Sequence, residues 1–79
     1  MNITVKLFGT LGDLFPDYDF EKGLETNLPD GSGVADLLAY LGISDDQGGT
    51  VLMDNRFLTG DERLTPGSQV LIFQALHGG

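Results

Sequence analysis

Cysteine and tryptophan are absent from the 79 residues, and histidine occurs once. The missing thiols exclude a disulfide framework, a thiolate zinc site, an iron–sulfur cluster and a cysteine nucleophile. A lone histidine excludes a multi-histidine metal centre and leaves one imidazole for acid–base work. Basic side chains are scarce: 4 stand against 12 acidic ones, for a net charge of −8. Nucleic acid is disfavoured, because phosphate binding needs clustered Lys and Arg. An anionic membrane surface is disfavoured for the same reason. The electrostatic complement is a partner with a basic docking face. No apolar run approaches the ~20 residues of a membrane helix, and MNITVKLFGT lacks a basic segment followed by a long apolar stretch. The expectation is a single cytoplasmic domain with one small core, burying roughly 60% of the surface its unfolded chain exposes. That is too little for a deep cavity walled on all sides.

What is present follows two periods. Ile3, Val5 and Leu7 alternate with Thr4, Lys6 and Phe8, which predicts a first strand. Gly9 to Asp13 breaks it, and Leu14 to Tyr18 reads as a loop or a single helical turn. Leu24, Thr26 and Leu28 alternate again and predict a second strand, antiparallel to the first, ended by Pro29-Asp30-Gly31. Val34, Leu37, Leu38 and Leu41 fall at i, i+3, i+4 and i+7, one apolar face of a short helix. Ser32 or Gly33 is its N-cap, Asp36 suits the first turn, and Gly42 is placed to end it with Ile43 as the hydrophobic contact. Ser44 to Gly49 reads as a polar loop. Thr50–Met53 and Arg56–Leu58 predict two strands joined at Asp54-Asn55, residues that tolerate positive φ. Pro66-Gly67 marks a turn, and the apolar Gln69–Phe73 predicts a central last strand beside the first. The order is that of an α+β fold, a mixed sheet of about five strands packed on one short helix.

Few side chains combine into a chemical site. Asp17, Asp19 and Glu21 alternate and Asp45-Asp46 are adjacent, but neither group has the spaced oxygens, mid-loop glycine and terminal Glu of a calcium loop. They read as solvated charge, and no metal ligands are expected. Gly31-Ser32-Gly33 sits between a strand and a helix as a phosphate-binding turn would. The dinucleotide fingerprint requires a third glycine where Asp36 stands, and an acid there repels pyrophosphate. No bound cofactor is expected. His77, two residues from the end, has no orienting group nearby in sequence. The aromatics Phe8, Phe15, Tyr18, Phe20, Phe57 and Phe73 are expected as core or edge cover, with any exposed subset a docking patch.

The remaining feature is the end of the chain. Residues 1–74 are expected to form the domain and residues 75–79 a flexible protruding tail, Ala75-Leu76-His77-Gly78-Gly79. Five extended residues span up to roughly 16 Å. Gly78 and Gly79 lack Cβ atoms and so pass where any side chain would clash. The carboxylate of Gly79 is a poor electrophile until activated as an acyl-adenylate, after which it accepts a sulfur, nitrogen or oxygen nucleophile.

Taken together, these segments resemble the MoaD/ThiS family of sulfur carriers, which have the ubiquitin-like β-grasp fold. The likeness runs over essentially the whole chain. It is carried by Val5-Lys6-Leu7-Phe8-Gly9-Thr10-Leu11, by Leu28 to Leu38, by Leu64-Thr65-Pro66-Gly67-Ser68-Gln69-Val70 and by Gly78-Gly79. The resemblance implies that a ubiquitin-activating-type adenylating enzyme, MoeB- or ThiF-like, spends ATP on the carboxylate of Gly79. A sulfur donor then converts it to a thiocarboxylate. A sulfur-accepting synthase large subunit or a thiazole synthase takes the sulfur, for molybdopterin (molybdenum or tungsten cofactor) or for the thiazole of thiamine. Gly79 and Gly78 are the residues carried over, and the chain is implied to be a co-substrate rather than an enzyme. Two alternatives share these features: a ubiquitin-like modifier conjugated through Gly79, and a small non-catalytic binding subunit.

Overall fold

The structure is a computed structural model and describes residues 1–44, 47–59 and 61–75. Five strands form one mixed sheet: β1 (Asn2–Phe8), β2 (Leu24–Asn27), β3 (Gly48–Met53), β4 (Arg56–Leu58) and β5 (Gln69–Gln74), in the spatial order β2-β1-β5-β3-β4. The expected α+β fold with a mixed five-stranded sheet and one short helix is what forms. β1 pairs antiparallel with β2 and parallel with β5, and β5 pairs antiparallel with β3. The apolar last strand is therefore central, next to the first.

Alternation in β1 sets the two faces of the sheet. Ile3, Val5 and Leu7 are buried on the inner face with Val70 and Ile72 of β5 and Val51 and Met53 of β3. Helix α1 (Val34–Leu41) covers that face with Val34 and Leu37, the latter wholly buried. Its ends are closed by local chemistry. The Asp36 carboxylate accepts from the Gly33 N–H at 2.9 Å, so an acid stands where an anionic ligand would have to approach. Gly33 is the N-cap, and Ser32 Oγ instead donates to the Pro29 carbonyl. The segment is a turn and a cap. At the other end Gly42 adopts φ 74°, and the Ile43 N–H returns to the Leu38 carbonyl at 2.9 Å. The hairpin turns on Asp54 and Asn55, both at positive φ (53° and 64°).

Four boundaries differ from the sequence reading. β2 stops at Asn27, one residue short of Leu28. The first loop opens as a 3-10 helix over Gly9–Leu14 rather than as a plain break, and it buries Leu11. β3 begins at Gly48, inside the stretch expected to be polar loop, and β5 runs one residue further, to Gln74. Glycine is a poor strand former, and what holds this start in the strand is the pairing of Gly48 with Gln74 at the end of β5. The aromatics differ more. None belongs to the fully buried core, and only Phe15 and Tyr18 pack against it. Asp45 and Asp46 lie outside the described residues, as do Leu76, His77, Gly78 and Gly79.

Candidate functional site

Because β1 and β5 are parallel neighbours, both end at the same end of the sheet, and β3, antiparallel to β5, begins there. Three segments meet at this end: Gly9-Thr10 leaving β1, Gln47 to Gly49 entering β3, and Gln74-Ala75 leaving β5. Ala75, the last described residue, therefore lies at the end of a central strand. The Ala75 N–H donates to the Gln47 carbonyl at 2.8 Å. The β3–β5 register shifts between Gly48 and Thr50, so Gly49 is an extra residue, a bulge, beside Ala75.

The outer face of the sheet carries the aromatics. Phe8 stacks on Phe73 across the central pair, with centroids 4.4 Å apart and planes within 14°. Phe20 meets Phe8 edge-on at 5.1 Å, and the Lys6 ammonium lies 5.2 Å from the Phe20 ring centroid. One row along, Leu71 pairs with Leu52 and Leu52 with Phe57. An apolar stripe thus crosses the sheet from Phe20 to Phe57. Phe57 is 69% exposed and Phe20 47%. Beside the departing chain the stripe opens into a groove of about 740 Å³, lined by Gly49, Thr50, Leu52, Phe57, Phe73, Gln74 and Ala75. A single domain rarely leaves such a face bare without a partner for it. Cations near it are few: Lys6 lies over its ring, and Arg56 is paired to Glu62 at 2.7 Å.

Of the residues singled out in the sequence, Gly78, Gly79 and His77 lie outside the described residues. Asp19 accepts from the Glu21 N–H at 2.9 Å in a local turn. No group of three His, Asp or Glu side chains that could hold a metal occurs among the described residues, and no helix among them is long and apolar enough to cross a membrane. What sequence reasoning did not find is the continuity of the outer stripe. The signal was partial: Phe8 falls opposite Ile3, Val5 and Leu7, but its neighbours across strands follow from the sheet order alone.

The architecture matches solved structures over nearly its full length. SAMP1 from Haloferax volcanii is 18% identical, with a TM-score of 0.71 and complete coverage of both chains. A structure described as molybdopterin converting factor, subunit 1, from Pyrococcus furiosus is 20% identical at a TM-score of 0.73, covering 96% of this chain and 99% of that one. The small archaeal modifier protein 1 of H. volcanii is 15% identical at 0.73, covering 95% and 98%. No curated protein matches in sequence. Fold and neighbours define a ubiquitin-like β-grasp protein. The ThiS family model matches residues 5–79, nearly the whole chain and its glycine end. The chain belongs to the ThiS family.

Proposed function

We propose that the protein is a sulfur carrier whose C-terminal carboxylate, on Gly79, is the working group. An adenylating partner transfers AMP from ATP to that carboxylate and releases pyrophosphate. Sulfide, or sulfur delivered at that oxidation level, attacks the acyl carbon and displaces AMP, leaving a thiocarboxylate. An acceptor enzyme takes the sulfur. The chain supplies no catalytic side chain and binds no cofactor; it is a co-substrate. The observation that carries the reading is an apolar outer groove lined by Ala75 at the end of β5, in a sequence that continues four residues from there to Gly78-Gly79. Membership of the ThiS family and the likeness to a molybdopterin converting factor subunit support it. The groove around Phe57 is the docking surface for the partners, and glycines at positions 78 and 79 suit a narrow channel.

The test is intact mass after incubation with ATP, a cognate adenylating enzyme and sulfide. The expected product carries the mass gain of an oxygen-to-sulfur exchange at Gly79. Deleting Gly79 is expected to abolish it while leaving thermal stability unchanged, because a chain end past the last strand contributes little to the core. A wild-type chain that stays unmodified with a verified partner refutes the proposal. The modifier reading has one specific support, the likeness to small archaeal modifier proteins. It predicts higher-mass conjugates through Gly79 in cell lysate.

A further inference from the structure

The point from which the tail departs is held on both sides. On one side the Gln74 side chain folds over the start of the 3-10 helix, and its Oε1 accepts from the Thr10 N–H at 2.8 Å. The contact is close: a Cβ on Gly9 would lie 2.8 Å from the Gln74 Cβ. On the other side the bulge of β3 presses on the backbone. A Cβ on Gly49 would lie 2.8 Å from the Ala75 Cα, and the Ala75 N–H is bonded to Gln47. Two glycines therefore make room for a clasp, and the clasp joins segments far apart in sequence. Strand pairing alone needs neither feature.

We propose that Gln74 and the Gly49 bulge are positioning elements that fix Ala75, the root of the tail, relative to the docking groove. This rests on the carrier reading. From Ala75 four residues remain, and four extended residues reach at most about 13–14 Å. With so short a tether, a tilt at its root displaces the Gly79 carboxylate from an attack geometry that tolerates little error. Gln74 also lines the docking groove but touches no reacting atom, so its loss lowers turnover beyond any effect on docking.

Gln74→Met keeps the length and removes the acceptor; Gln74→Glu keeps the acceptor. In the isolated protein, amide exchange at Thr10 is expected to accelerate in Gln74→Met and to stay at the wild-type rate in Gln74→Glu. In ATP–pyrophosphate exchange with the adenylating enzyme of the source organism, Gln74→Met is expected to lower kcat about tenfold. Its KM for the carrier is expected to change by less than kcat does, with Gln74→Glu restoring kcat. Gly49→Ala, which pushes Ala75 away, is expected to lower kcat likewise, with urea unfolding as the check that it is folded. Wild-type turnover in Gln74→Met, or a loss confined to KM, overturns the inference and leaves the carrier reading standing. A wild-type chain that is never adenylated overturns the carrier reading itself.

Discussion

Replacing Tyr18 by Phe removes one oxygen and exposes how the first loop is held. β1 pairs with β2 only through Val5, whose partner is Leu24. Beyond that point the β2 side of β1 has no strand beside it, and the N–H and C=O of Leu7 face that side. The Tyr18 hydroxyl takes the place of the missing strand: it accepts from the Leu7 N–H at 2.8 Å and donates to the Leu7 carbonyl at 3.3 Å. The ring of Phe occupies the same volume, so no cavity forms. What changes is a half-buried donor left without a partner, which costs ~1–3 kcal/mol, whereas the longer bond contributes little. The expected destabilisation is about 1–2 kcal/mol, equivalent in a domain of this size to a fall in Tm of roughly 5–15 °C. Urea unfolding followed by far-UV circular dichroism measures it, with the m-value unchanged because the native surface is unchanged. Amide exchange at Leu7 provides the local readout and is expected to accelerate. A loss below about 0.5 kcal/mol, the range of ordinary surface substitutions, together with wild-type protection of Leu7, refutes the reasoning.

Phe57→Ala is expected to leave stability within ~0.5 kcal/mol, since the ring is 69% exposed. It is expected to weaken binding to the adenylating partner by ~2 kcal/mol, about 30-fold in Kd by calorimetry, as truncation of an anchoring aromatic does. Leu37→Ala removes a side chain with no exposure from beneath the sheet, and urea titration should show a loss of ~2–5 kcal/mol. Gly42→Ala meets no atom within 4 Å but must adopt φ 74°. A loss of ~1 kcal/mol in the same titration is expected from the backbone alone.

Local signals explain what was legible. The Ile3-Val5-Leu7 alternation, the Val34 to Leu41 apolar face closed by Gly42, and the Asp54-Asn55 turn each depend on residues a few positions apart. Their steric preferences act before any tertiary contact exists. The Gly48-Gly49 start of β3 was not legible, because glycine has no strand preference of its own; Gly48 is held there by Gln74 of β5, and Gly49 bulges against Ala75. The 3-10 helix was missed for a related reason. Its N-terminal Gly9-Thr10 is fixed by Gln74, 64 residues away from Thr10, and the Phe15 that ends it is tied back to Gly12.

The sequence by itself determined the absence of thiol chemistry, the acidic charge, the alternating strands around one helix, and the glycine end on which the sulfur-carrier reading depends. These follow from composition and from side-chain periods, which are properties of the chain without its fold. Only the tertiary structure decided that Phe8, Phe73, Leu52 and Phe57 form one surface, and that the tail's root is clasped between Thr10 and Gly49. The physical reason is strand order. Placing β5 between β1 and β3 brings three distant segments to one end of the sheet, and no local preference encodes which strands become neighbours.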